Sequence, residues 1–217
     1  SDIEFTWKQV TKDGEGQAIV PIGFWKRFHE CIKNTERLIV MPLHIRCMKG
    51  PGHLNMLVYD KINKSLERFE PHGKTGGGLD TSHCIDGNID TVIQEEFKRE
   101  SLRCETANKI TKANHPEQYE PELMPQPIEI KNYYEPLDFC PKVNVQTIEC
   151  QQGFDKGVKK SGFCVVWSLW YAELRLQNPS VNRAKLLDRA IKMIRDSNED
   201  FLQFIINFSN YVIQTAN

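Results

Sequence analysis

The chain has 217 residues, of which 26% are charged, and its net charge is −1. That length suits one well-cored domain over 1–217 rather than two. The balanced charge gives no basis for a nucleic-acid or anionic-membrane partner, and the longest apolar run, near Cys164–Ala172, is far too short to span a bilayer.

Within 21–33, Phe24, Phe28 and Cys31/Ile32 recur at helical spacing, and Asn34 supplies a stop. Arg37 to Ile45 is rich in β-formers and predicts a buried strand. Lys49-Gly-Pro-Gly52 is a turn. His53–Asp60 and Ser65–Glu70 predict two strands joined through Lys61-Ile-Asn-Lys64 as a hairpin. A loop with three consecutive glycines follows over 73–78, and Ile89, Val92, Ile93 and Phe97 mark a helix over 87–104.

Residues 105–141 are proline- and charge-rich, with five X-Pro pairs between His115-Pro and Glu135-Pro alone, and predict a surface excursion with a short strand near Ile128–Lys131. Val143–Cys150 reads as a strand. Phe163–Leu176 reads as a helix buried on nearly every side, ended by Asn178-Pro179. Amphipathic helices follow over about 180–196 and 198–214. There are no internal repeats. The order predicts an α+β fold, with a small central mixed β-sheet packed by helices.

The N-terminal Ser1-Asp-Ile-Glu-Phe5 lacks the basic and apolar stretches of a secretory signal. It also lacks an initiator Met, so the chain reads as a fragment or a processed product. The seven cysteines stand singly, without a C-x-x-C pair, so neither a disulfide framework nor a zinc knuckle is expected. They read as mostly reduced, in an intracellular protein. Cys84 beside His83, and His29 near Cys31, are the nearest approach to metal ligands, but scattered structural residues are the simpler reading. No metal or organic cofactor is called for.

Four residues add up to chemistry. Cys164 opens the buried helix after Gly162, where the helix dipole lowers a thiol pKa. His53 begins a strand directly after a Gly-Pro-Gly turn. Glu70 ends the neighbouring strand, close to His53 across the hairpin, where a carboxylate can accept from His53 Nδ1–H and fix the tautomer. Glu67 falls on the opposite face and Asp60 at the turn. Gln151 or Gln152, at the end of the strand over 143–150, offers an amide donor to an oxyanion. No histidine follows Cys164, so any site built on it runs His before Cys, unlike the papain order.

With these residues the chain resembles the cysteine proteases that include adenovirus protease (adenain) and the SUMO and ubiquitin-like-protein proteases. His53 and Glu70 are seventeen positions apart, Glu70-Pro-His-Gly73 is similar to the Glu-Pro-Phe-Gly of adenain, and Gln151-Gln-Gly153 is similar to the family's glutamine motif before the nucleophile. The resemblance covers about 37–75 and 143–175. It implies a papain-superfamily-related fold with Cys164 as nucleophile, His53 as base, Glu70 as orienting carboxylate and Gln152 as oxyanion donor. It also implies cleavage after Gly-Gly or Gly-X, removing ubiquitin or a ubiquitin-like modifier, or maturing a viral structural precursor. An activating peptide and a host cytoplasm, nucleus or virion setting are compatible with it. The chain departs from the family at Leu54, where a Trp is usual, at Val165, where Gly is usual, and in the longer Gln152–Cys164 gap. These departures leave a non-catalytic binding module for a ubiquitin-like protein as an alternative. An acetyltransferase would need an acyl-CoA site, for which Lys156, Lys159 and Lys160 are the nearest cations.

Overall fold

The computed structural model describes residues 4–12, 14–48, 52–73, 88–157 and 163–216. Its frame is a mixed six-stranded sheet. In chain order the strands are β1 (Phe5–Gln9), β2 (Gly16–Ile19), β3 (Leu38–Arg46), β4 (His53–Asp60), β5 (Ser65–Phe69) and β6 (Asn132–Tyr134). Their spatial order is β2-β1-β3-β4-β5-β6. The β1–β3 and β5–β6 pairs are parallel and the other three antiparallel. The helices are α1 (Phe24–Lys33), α2 (Ile89–Asn114), α3 (Pro136–Phe139), α4 (Val145–Asp155), α5 (Cys164–Gln177), α6 (Arg183–Asp196) and α7 (Phe201–Ala216).

Side-chain alternation along the strands makes two cores, one on each face of the sheet. Ile39, Met41, Leu43, Leu57 and Tyr59 pack with Phe28, Ile93 and Phe97 of α1 and α2. Leu38, Met56 and Val58 pack with Trp167 and Tyr171 of α5 and with residues of α6 and α7. This is an α+β architecture in which a fully buried β4 runs through the middle.

The predicted hairpin, α1, β3, α5, α6 and α7 all occur, and five points need correction. β1 and β2 extend the sheet beyond the predicted strands; Phe5, Trp7 and Gln9 are buried on alternate positions. α2 continues ten residues past 104, because 105–114 contains no proline, and stops at Asn114 ahead of His115-Pro116. The strand expected at 128–131 forms slightly later, as β6, followed by the short α3. The segment 143–150 is helical rather than extended. Asn144 caps α4, accepting from the Val145 N–H through its side chain. Nor is α5 buried all round: Val165, Leu169 and Leu176 are exposed.

A buried ion-pair cluster fixes α5 on the sheet. Glu67 of β5 accepts from Arg175 Nε and Tyr171 Oη on one oxygen, at 2.7 and 2.8 Å, and from Arg183 Nε on the other at 2.7 Å. The Tyr171 ring also stacks on Phe69 with centroids 4.0 Å apart. Glu67 is thus spent on holding helices, on the face opposite Glu70, as the strand alternation requires.

Candidate functional site

The site forms where the start of β4, the end of β5 and the N-termini of α4 and α5 converge. Met56 pairs with Phe69 across the hairpin, which continues to set Asn55 against Glu70 and His53 two residues farther along the same face. On α5, Cys164 and Ser168 share a helix face. Ser168 Oγ donates to the Leu54 carbonyl at 3.1 Å, so Cys164, one turn earlier, lies over the start of β4.

His53 is buried, and its Nε2 lies 2.7 Å from Glu70 Oε1. The Cys164 side chain hydrogen-bonds to the same imidazole. With Nε2 engaged by Glu70, Nδ1 is the nitrogen left for the sulfur. This reverses the expected tautomer: the carboxylate fixes Nε2–H, not Nδ1–H. Glu70 accepts two more hydrogen bonds, from Asn55 Nδ2 at 2.8 Å and from the His72 N–H at 2.9 Å. Asn55 is oriented in turn by Arg68, whose Nη1 donates to Asn55 Oδ1 at 2.8 Å, and Arg68 is held by Asp90 of α2 at 2.8 and 2.6 Å.

The electrostatics follow from these contacts. Burial opposes a charge on His53, but the Glu70 carboxylate and the Cys164 contact overcome it and push its pKa up to about 10. Burial likewise opposes the Glu70 charge, and His53, His72 and the donated hydrogen bonds pull it down to about 2. For Cys164 burial raises the pKa. The His53 hydrogen bond and charge, with the Leu54 and Val165 backbone N–H groups, outweigh burial and hold the thiol below its usual range. Cys104 and Cys140 go the other way, to about 11 and about 12, chiefly through burial. The arrangement favours a thiolate–imidazolium pair at the positive end of a helix.

His72 lies beside the pair, its ring centroid 5.1 Å from that of His53. Burial lowers its pKa to about 4, against the pull of Glu70 and helped by the neighbouring positive His53, so it is a neutral wall at physiological pH. After it, Gly73 adopts φ 112°, and a Cβ there would come within 2.6 Å of the Pro141 carbonyl oxygen. This close approach lets the chain before α4 pack on the end of the hairpin. Asn144 N–H donates to His72 O, Gln146 N–H to Pro71 O, and Asn144 Nδ2 to Glu70 O at 2.8 Å.

The glutamines predicted for the oxyanion are engaged elsewhere. Gln152 Oε1 accepts from the Phe201 N–H at 2.8 Å, capping the start of α7. Gln151 is exposed and donates to Asp155 at 2.9 Å. Both consequences follow from 143–150 being a helix: its C-terminal turn points toward α7, while its N-terminal turn meets 70–72. The amide at that N-terminal end is Gln146. It is buried, and its Oε1 has no hydrogen-bond partner among the described residues. The signal that could have found it was Asn144 as an N-cap ahead of Val145 and Ile148.

Among the described residues Cys31, Cys104, Cys140, Cys150 and Cys164 are thiols, and Cys47 is disulfide-bonded. His83, Cys84, Lys159, Lys160 and most of the 73–78 glycine loop lie outside the described residues. Lys156 pairs with Asp200. Trp167 and Tyr171 are core residues, as expected. No helix among the described residues is long and apolar enough to cross a membrane.

Fold and site together define an α+β protein with a Cys–His–Glu cluster at a helix N-terminus. A protein of Acanthamoeba polyphaga mimivirus, provisionally named an ankyrin repeat protein, is 29% identical over 199 residues, which is 89% of this chain and 23% of that protein. The chain therefore spans about a quarter of the length of the relative it matches. A six-stranded sheet without a repeating period is not ankyrin architecture, so the likeness does not make this chain a repeat array. No family model matches and no solved structure matches.

Proposed function

We propose that this chain is a cysteine protease or isopeptidase with a papain-related fold. The observation that carries the reading is the convergence of Cys164, His53 and Glu70, with His53 Nε2 2.7 Å from the carboxylate and the thiol pKa lowered. In the first step the Cys164 thiolate attacks an acyl carbon, and the carbonyl electron pair moves to its oxygen. Gln146 replaces Gln152 in our reading as the side-chain donor to that oxyanion, partnered by the backbone N–H of Cys164. Collapse expels the amine, which takes the proton held by His53. Water then gives a proton to His53 and attacks the thioester, releasing the acid and regenerating the thiolate.

The resemblance to adenain and the ubiquitin-like-protein proteases supports a substrate cleaved after Gly-Gly or Gly-X, namely a ubiquitin-like modifier. The mimivirus relative lends some weight to a viral structural precursor as the alternative. One feature favours a binding module instead: Val165, beside Cys164, presents an exposed isopropyl group where the resembled proteases have Gly. The test is reaction with a panel of ubiquitin-like proteins carrying C-terminal electrophiles, read by intact mass and peptide mapping. We expect an adduct on Cys164 that is lost in His53→Ala. Unchanged turnover of every cleaved substrate in Cys164→Ala would sink the assignment. A folded protein whose Cys164 alkylates no faster than a free thiol would leave the binding module.

A further inference from the structure

A second cluster lies between α1 and α2. The buried stripe of α2 runs Ile89, Ile93, Phe97 and then Glu100 and Cys104, so its apolar face turns polar one helical turn after Phe97. Phe97 packs edge-on against Phe28 of α1, with centroids 5.4 Å apart, and the next residue of α1, His29, is buried against that polar end. His29 Nε2 is 3.0 Å from Glu100 Oε1 and 3.4 Å from Cys104 Sγ, and Cys104 Sγ is 3.5 Å from Glu100 Oε1.

We propose that His29, Glu100 and Cys104 form a binding site for a thiophilic divalent cation, zinc foremost, that ties α1 to α2. Zinc bonds of about 2.0 Å to N and O and about 2.3 Å to S at tetrahedral angles give ligand–ligand edges of roughly 3.3 Å (N–O), 3.6 Å (N–S) and 3.5 Å (O–S). The three observed edges come close to that face without rearrangement. One oxygen, one nitrogen and one sulfur converge as single atoms of three buried side chains. Imidazole and thiolate select zinc or cobalt over magnesium or calcium. The i, i+4 spacing of Glu100 and Cys104 puts two ligands on one face of a rigid helix.

The charges also close. Glu100 carboxylate and Cys104 thiolate neutralise the cation, and the thiol proton leaves to solvent. Arg103 supports from outside. It donates to Glu100 Oε2 at 2.7 Å and to Oε1 at 3.0 Å, which fixes the carboxylate plane as second-layer partners of metal ligands do. Water completes the fourth position.

The test uses the full chain carrying Cys164→Ala, so that the candidate catalytic thiol cannot bind metal. After chelator treatment, cobalt(II) is titrated in and the thiolate-to-cobalt absorption recorded, with zinc content measured in parallel. We expect about one equivalent of either metal, with the charge-transfer band lost in Cys104→Ser and metal content reduced at least about tenfold in His29→Asn. Should either variant fail to fold, the parent decides: zinc must raise its melting temperature in a concentration-dependent way, reversed by chelator. No charge-transfer band, a band that survives Cys104→Ser, or a melting temperature indifferent to zinc overturns the proposal and leaves a purely hydrogen-bonded cluster.

Discussion

Glu70→Gln is the substitution that asks most of the site. The three donors facing Glu70 are His53 Nε2–H, the His72 N–H and Asn55 Nδ2–H. A glutamine carbonyl can replace Oε1 but its NH2 meets the Asn55 amide donor. Asn55 cannot flip to help, because Arg68 holds its carbonyl end. The substitution keeps the volume, removes the charge and leaves two donors opposed. Without the carboxylate, burial is the largest remaining influence on His53, opposed only by Cys164, and its pKa falls from about 10. The imidazolium that holds the Cys164 thiol down is then less populated at neutral pH.

A thiol near the ordinary pKa of about 8.5 is only about 0.3% thiolate at pH 6, so alkylation of Cys164 should slow by roughly two orders of magnitude there. Part of the loss is returned by the greater nucleophilicity of a more basic thiolate, with a Brønsted slope of about 0.4–0.5. The assay is the pH dependence of Cys164 alkylation by a neutral chloroacetamide, read by mass. The parent should react at a nearly flat rate through neutral pH, and Glu70→Gln should show a rate rising steeply with pH toward 9. Identical pH profiles for the two proteins would refute the thiolate–imidazolium reading, whatever the effect on turnover.

Gln146→Ala should lower kcat by about 100- to 1,000-fold with alkylation of Cys164 unchanged, since an oxyanion donor acts only once the tetrahedral oxygen forms; Gln152→Ala should leave kcat within a few-fold and reduce stability by about 1 kcal/mol through the lost cap. Steady-state kinetics and denaturant melts separate the two. Gly73→Ala should destabilise by several kcal/mol, because it needs a positive φ and meets the Pro141 carbonyl at 2.6 Å; a melting temperature within a degree of the parent would show the 141–144 segment yielding. Glu70 contributes stability that is present above its unfolded pKa near 4.5 and lost as pH falls toward about 2. The His53 contribution is complete below 6.5 and lost as pH rises through about 10. Glu70→Gln should therefore flatten both limbs of the stability–pH profile measured by urea unfolding.

The parts of the site visible in the sequence were those fixed by local spacing. His53 and Glu70 sit on one hairpin, so a four-residue connection and a period of two bring them to one face before any tertiary contact is known. Cys164 could be read because a helix N-terminus follows Gly162. The placement of Gln146 beside the end of the hairpin was not legible in the same way. Val143, Val145 and Ile148 are β-formers, and Gln151-Gln-Gly153 looks like a motif, but the segment is a helix because Asn144 is held from both sides, by Glu70 O and by the Val145 N–H. That anchoring is tertiary. The same applies to β1 and β2: five- and four-residue strands gain their stability from β3 and from Trp7 lying where a Cβ on Gly16 would stand.

The chain of contacts from Asp90 through Arg68, Asn55 and Glu70 to His53 runs along the α2 face of the sheet and ends at Cys164, on a helix that packs on the other face. Its charges alternate: carboxylate, guanidinium, neutral amide, carboxylate, imidazolium, thiolate. Each link is a donor facing an acceptor whose alternative orientation is blocked by the next link, so the orientation at His53 is set by α2, an element that does not touch the nucleophile in this chain of bonds. A buried relay of this kind is costly unless every member is satisfied. That explains why Asn55 is fully buried near the start of β4 at a position where an apolar residue would otherwise serve the core. It also separates the two features the proposal depends on: the relay bears on the protonation of His53 and Cys164, whereas the oxyanion role proposed for Gln146 would bear only on the oxygen of the substrate.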